Sequence, residues 1–339
     1  MQRATGLTSA RTFLGIVAVL VCWFAALPAV AQQGQDAVYN STGSPTNSPA
    51  FIDASMFASQ GGTICSVIYG ILSGVNYSAA VIDARALPNS TPSTSMTCAA
   101  GTTPWNNGSS TVAVPSTILL PATGAISANL ANPIIIPSTW IVPANTRLIG
   151  EGDGILSGSS YPGTTIQAAS GFSGTMIQFG SSSSSVCPPV PSGPPCTGIS
   201  VENLTLDGLE QSVGGIINQY AQNNSYVNHV SFYRILGTGL LVSTPSSGSS
   251  SATNSGPYSN ITFDTGGYSG TSATVCASID NVNGFLLGTR GIHGLRCTSE
   301  TNDAPAAVLL DASNNSIEDV KIVRWRPGRC ECPHPHNNP

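Results

Sequence analysis

Apolar side chains in the stretch ISVENLTLDG, Ile199 to Gly208, fall at 199 and 201 and then at 204 and 206, so the alternation slips by one position at Asn203. Strict alternation marks a strand with one buried face. A slip confined to one residue predicts that the strand turns a corner there. The same slip recurs in V-E-N-L-T-L from Val201, V-N-H-V-S-F from Val227, Y-S-N-I-T-F from Tyr258, I-H-G-L-R-C from Ile292 and I-E-D-V-K-I from Ile317, whose starts lie 26, 31, 34 and 25 residues apart. The third residue of each copy is Asn203, His229, Asn260, Gly294 or Asp319, the types that best tolerate a positive φ. One left-handed residue at that point lets positions 201 and 204, odd and even, both face inward.

Upstream of each corner lies a second apolar stretch: TMIQF near Ile177, GIINQ near Ile216, GLLVS near Leu240, CASID near Ala277 and AVLLD near Val308. Each unit therefore carries at least two strands, and units of this length stacked on one another predict an all-β fold, a right-handed parallel β-helix over residues 121–325. At ~4.8 Å per rung, five copies span roughly 19 Å and stack Leu204, Val230, Ile261, Leu295 and Val320 in one column. An antiparallel sandwich would require five coincidental corners.

Ahead of the repeats, Ile64, Val67, Ile68, Ile71 and Leu72 form one helical stripe, with Thr63 as N-cap and Gly74 as the stop. They predict a small helical cap near 63–73 within a region covering 51–120. Residues 32–50 show no periodicity and read as a linker. At the start of the chain, Arg3 and Arg11 precede an apolar run from Phe13 to Leu27 and an Ala29-Val30-Ala31 exit. This is the form of a cleaved secretory signal over 1–31, the run being short for a membrane span.

Composition narrows the function classes. Only 8% of residues are charged, with 11 basic and 16 acidic side chains and 36 glycines in 339 residues, which suits a turn-rich sheet protein and offers little to nucleic acid. Removing the signal leaves eight of the nine cysteines, so an oxidising compartment, secreted or periplasmic, is expected. Cys187 and Cys196 flank PPVPSGPP and could close it; Cys65 with Cys98 and Cys276 with Cys297 are further candidate pairs.

The five corner motifs, the stretch PSTWIVPANTRLIGEGDG and the helix TICSVIYGIL resemble the pectate-lyase-like right-handed β-helix superfamily, more narrowly its secreted bacterial members of unassigned activity. The resemblance covers residues 51–325 and implies a polysaccharide partner, cleaved by a lyase or glycosidase, or else a non-catalytic surface or adhesion rod. Cleavage needs either two carboxylates flanking a glycosidic oxygen, or a basic residue beside a uronate carboxyl neutralised by Ca²⁺ or arginine. Stacking the copies predicts an exposed column of Thr205, Ser231, Thr262, Arg296 and Lys321, and beside it Asp207, Tyr233, Asp264 and Thr298. Asp207 and Asp264 would lie two rungs apart, roughly 9.6 Å, and Asp280 and Asp311 on neighbouring rungs, about 5 Å apart. Those four acids are the candidate catalytic carboxylates, with Arg296 or His293 assisting; capping of turns is the competing role for each pair. His293 and Glu318 occupy equivalent outward positions and are expected to touch as a structural ion pair.

Polygalacturonase-like members of the superfamily carry an Asn-x-Asp, a paired Asp-Asp, a Gly-His-Gly and an Arg-Ile-Lys. Here only GIHG, Gly291 to Gly294, and VKIVR, Val320 to Arg324, approach the last two, and no Asp-Asp pair exists. After Trp325 the sequence becomes RPGRCECPHPHNNP, without strand signal, where a further rung or cap is expected. Loss of reading frame near residue 326 would produce such a tail. Cys330, Cys332, His334 and His336 are metal-capable in type, but at two-residue spacing, interrupted by proline, they suit tetrahedral zinc poorly.

Overall fold

The computed structural model describes residues 50–74, 79–123, 125–126, 129–130, 132–153, 163–187, 196–243, 252–253, 256–270, 272–280, 286–299, 306–311 and 316–323. The expected signal, all but the last residue of the linker and the C-terminal tail with its Cys and His residues lie outside them. The described chain winds as a right-handed parallel β-helix. Each full coil has a first leg, a corner, a second leg and, across the core, a third leg.

One continuous parallel sheet runs from Ala50–Asp53 through Ala80–Asp83, Ser116–Leu119, Thr146–Ile149, Ser200–Gln211, Tyr226–Ile235, Tyr258–Asp264 and Ile292–Thr298 to Ile317–Glu318. It begins at Ala50, so the expected cap region shares the sheet of the coils. The short rungs AFID, AVID and STIL carry the inward ladder (Ile52, Ile82, Ile118) without a corner. The third legs form a second parallel sheet of Trp140–Val142, Gly174–Phe179, Val213–Asn218, Thr238–Val242, Val275–Asp280 and Val308–Asp311.

All five corners are left-handed, with φ of 55° at Asn203, 51° at His229, 54° at Asn260, 67° at Gly294 and 56° at Asp319. The register follows the repeat: Leu204, Val230, Ile261 and Leu295 stack in line, none more than 1% exposed. Burying each contributes about 1.5–3 kcal/mol. Val320 departs from the expectation of burial: it is 38% exposed, because no described strand pairs beyond the last rung.

Packing across the core is complementary rung by rung. A Cβ on Gly215 would lie 2.4 Å from the Phe232 ring and 2.4 Å from the Gly239 carbonyl oxygen, and one on Gly239 would lie 2.6 Å from the Phe263 ring. Third-leg glycines thus make room for second-leg phenylalanines. One rung further the same columns hold Cys276 and Cys297, joined as a disulfide. Within this core Tyr258 accepts a hydrogen bond from Asn218 Nδ2 at 2.8 Å; its burial pushes the phenol well above its ordinary pKa, with the Asn218 bond opposing.

The helix occupies Ile64–Gly74 and buries the expected stripe. Thr63 Oγ1 accepts from the Ser66 amide at 3.1 Å and Ser66 Oγ accepts from the Thr63 amide at 2.8 Å, a reciprocal N-terminal cap. Cys65–Cys98 ties this helix down, and Cys187–Cys196 forms as well. Three disulfides point to folding in an oxidising environment. No described helix is long and apolar enough to cross a membrane.

Candidate functional site

The second legs present two outward columns in the expected register. Thr165, Thr205, Ser231, Thr262, Arg296 and Lys321 align in one, and Gln167, Asp207, Tyr233, Asp264, Thr298 and Val323 in the other. Exposure does not follow register. Thr205 is 3% and Ser231 2% exposed, whereas Arg296 and Lys321 are open to solvent.

The described ends of an insertion, Gly150 to Asp153 and Gly163, lie against the sealed half. After Ile149 the chain leaves the corner and re-enters at Thr164, so the strand Ser200–Gln211 pairs with Thr146–Ile149 along its first leg and with Thr164–Ala168 along its second. The neck is closed by the Gly150 amide to the Glu202 carbonyl at 2.9 Å, Gly152 to Asn203 at 3.0 Å and Thr164 to Gly152 at 3.1 Å. No side chain fits at Gly150, where a Cβ would lie 2.3 Å from the Asn203 carbonyl oxygen. Beyond the neck, the Asp153 carbonyl accepts from Ser231 Oγ at 3.2 Å, which brings this segment over the column expected to be exposed.

Asp207 lies in the sealed half, with 1% of its side chain exposed. Arg234 grips it through Nε to Oδ1 at 2.9 Å and through Nη2 to Oδ2. Gln167 Nε2 donates to Oδ2 at 2.8 Å and the Leu209 amide to Oδ1 at 3.1 Å. Desolvation works against the charged Arg234 guanidinium, yet the Asp207 carboxylate, with smaller help from Tyr233 and Glu210, offsets it and holds the group above its ordinary value. The pair is set by a bulge: three residues separate Asp207 from Gln211, one separates Tyr233 from Ile235, and Leu209, Glu210 and Arg234 all adopt φ between 50° and 55°. Non-glycine residues there cost roughly 1–2 kcal/mol each, strain of the kind that gathers at functional sites. Asp207 therefore differs from the expected solvent-facing acid, because a coil-to-coil ion pair occupies its carboxylate.

On the open half, Asp264 is partly exposed and its Oδ1 accepts from the Gly266 amide at 2.7 Å. The Tyr233 ring lies 5.1 Å from the Arg234 guanidinium. Arg296 forms no ion pair among the described residues.

The remaining expected residues sit on other faces. His293 projects from the first leg, with Nδ1 3.2 Å from Glu318 Oε2 and Nε2 3.2 Å from the Arg290 carbonyl, so the expected contact forms. Asp280 and Asp311 are in register on the third-leg sheet; the Asp311 side chain is outside the described residues. The six candidates thus fall on three faces: Asp207, Asp264 and Arg296 share the second leg, Asp280 and Asp311 the third, and His293 stands on the first. No three Asp, Glu, His or Cys side chains converge as a metal site among the described residues. Asp264 with its neighbours therefore does not fit the acid cluster that calcium takes.

Three features escaped the sequence reading. Arg234 follows Tyr233 directly, a basic residue where the copies from Val201, Tyr258 and Ile292 have Gly208, Thr265 and Ser299, and this was the available signal. Glu202, on the first leg, gathers Arg147 (3.1 and 2.9 Å), Ser200 Oγ (2.8 Å) and the Tyr226 hydroxyl (2.9 Å) on its Oε1. Asp153 is the third: burial raises its carboxyl pKa, while its own amide and the nearby His229 act the other way. A carboxyl raised on folding stabilises the native state below its unfolded pKa, and that contribution is lost as pH rises through the folded value. Asp153→Asn is accordingly expected to gain in Tm relative to the parent as pH increases from about 3 to 7, followed by thermal unfolding across that range. A relative loss instead would show that the fold favours the charged carboxylate.

Comparison with solved structures gives distant likenesses. The mannuronan C-5 epimerase AlgE6 A-module of Azotobacter vinelandii is 13% identical with a TM-score of 0.29, covering 79% of this chain and 58% of that one. The ORF18 protein of Geobacillus virus E2 is 10% identical with a TM-score of 0.32, covering 80% and 48%. The AlgE4 A-module of Azotobacter vinelandii is 10% identical with a TM-score of 0.22, covering 82% and 98%. The chain thus spans 58% and 48% of the first two. No protein-family model and no curated protein matches the chain.

Proposed function

We propose that this is a secreted, polysaccharide-active β-helix that contacts an acidic glycan along the open half of its second-leg face. The observation that carries this reading is Arg296: exposed, without an acidic partner among the described residues, and flanked in register by Thr262, Thr298 and Asp264. Hydroxyls, one carboxylate, one free guanidinium and the Tyr233 ring two rungs away are the groups that hold a sugar chain. Arginine matches a uronate carboxylate bidentately.

Of the two cleavage chemistries, hydrolysis needs paired carboxylates, and the face offers Asp264 while Asp207 is engaged by Arg234. Elimination moves the proton next to the uronate carboxyl to a base and breaks the glycosidic C4–O bond as the double bond forms, the leaving oxygen taking a proton from water; Arg296 fits the cation that neutralises the carboxyl, and Asp264 on the neighbouring strand is the base the face offers. Asp207 then acts as a positioning residue, fixing Arg234 under Tyr233. The position of the other two acids, Asp280 and Asp311, on the third-leg sheet and away from Arg296 favours a second reading, a rod that binds glycan without cutting it.

Both readings share one test. The full chain is titrated with polygalacturonate and with a neutral glucan, with and without Ca²⁺, and unsaturated products and reducing ends are followed. Binding to the polyuronate is expected, weakened at least tenfold by Arg296→Glu and by added salt. Unsaturated products support the lyase; binding alone supports the rod. Equal binding of neutral and acidic chains, or indifference to Arg296→Glu, would overturn the reading.

A further inference from the structure

Among the described residues, the seven large apolar side chains that are exposed lie on the first and last described rungs: Phe51, Met56 and Phe57 on the first, and Leu309, Leu310, Val320 and Ile322 on the last. The four at the finish sit on the last described rung. Leu310 continues the inward ladder of Ile279, and Ile322 that of Cys297, yet they are 52% exposed each. No described strand pairs with the far edge of that rung. Open edges with apolar residues promote strand addition.

The terminal strand is complementary to itself. Read as I-E-D-V-K-I from Ile317 to Ile322 and opposed to its own reversal, it sets Ile317 against Ile322, Glu318 against Lys321 and, at the axis itself, the corner residue Asp319 against Val320. Parity matches too: Ile317 and Ile322 continue inward ladders, while Glu318 and Lys321 are exposed on the outer faces. The bend at Asp319 separates the first leg from the second. A two-fold axis along the bisector of this corner exchanges the two legs and reverses the coil direction, so each leg meets the opposite leg of the other copy, antiparallel. We propose that two copies of this chain associate end to end across this rung, with Ile317–Ile322 and Glu318–Lys321 pairs formed twice about the axis. The arrangement is closed, as an isologous interface must be, and covers the exposed Leu310, Val320 and Ile322. It also supplies Lys321 with a carboxylate, which it lacks among the described residues of one copy, and leaves Arg296 to the glycan.

Charge reversal tests this on the full chain by sedimentation velocity over a concentration series, with circular dichroism to verify folding. A dimer is expected. Lys321→Glu opposes two acids at both symmetric positions, and Glu318→Lys opposes two lysines; each is expected to raise the dissociation constant about tenfold. The double exchange Glu318→Lys/Lys321→Glu restores the pairing and is expected to return the constant to within about threefold of the parent. A monomer at all concentrations, open-ended oligomers, or a dimer whose constant ignores the single reversals would overturn the proposal.

Discussion

Replacing Arg234 with methionine is expected to destabilise the protein by about 3–5 kcal/mol, because it strands a buried carboxylate. Asp207 is 1% exposed and would keep only Gln167 and the Leu209 amide as donors. Methionine fills much of the space left by the arginine stem and takes over the same left-handed backbone, so lost packing and relieved strain contribute little. Removing the charge from both partners, Asp207→Asn with Arg234→Met, is expected to cost less than Arg234→Met alone, since no ion then lies uncompensated in the interior. Equilibrium denaturation of the two singles and the double measures the coupling. A double variant as unstable as the sum of the singles would show that Asp207 reaches solvent and that the ion pair is ornamental.

Phe232→Ala carries a comparable expected loss, about 3–5 kcal/mol, from transfer and cavity together. The ring is fully buried, and its fit depends on Gly215, where a Cβ would stand 2.4 Å from it. Gly215→Ala alone is expected to cost about 1–3 kcal/mol by overpacking. Combined with Phe232→Ala, much of that overpacking cost disappears, although the Gly239 carbonyl oxygen remains 2.4 Å from the new Cβ. The sign of this coupling, read from chemical denaturation, is the check: additive losses would mean that the two positions do not face each other across the core.

The corners and the register were legible in the sequence for a physical reason. A left-handed residue favours Asn, Asp, Gly and the occasional His, and at the corners the parity slip marks its place, so both signals fall on one residue in each copy. Fixing the corner fixes every column beside it, down to the alignment of Asp207 with Tyr233 and Asp264. The pair Cys276–Cys297 was one candidate among several in the sequence; the structure adds the reason it forms, since the two residues occupy the columns of Gly239 and Phe263 on the preceding rung. What could not be read was exposure. Outward register is a property of the rung, but Ser231 meets the Asp153 carbonyl of a segment that leaves the repeat after Ile149, and Asp207 is covered by an arginine beyond a bulge. Neither obeys the repeat. The short N-terminal rungs were hard to recognise as coils because AFID, AVID and STIL have no corner residue.

Separation of the candidate acids follows from the same geometry. A three-legged coil distributes identical residue types over three faces, and periodicity alone does not say which faces are open. Arg296 gained significance only when its neighbours below were seen to be covered and its own face was not.

Backbone torsions at Asn203, His229, Asn260, Gly294 and Asp319 test the account most directly, measured by multidimensional NMR together with amide contacts between neighbouring strands. The expected result is φ near 55°, 51°, 54°, 67° and 56°, with contacts that place Val230 beside Leu204 and Ile261 in parallel register. Extended torsions at these five residues, or neighbouring strands running in opposite directions, would contradict it.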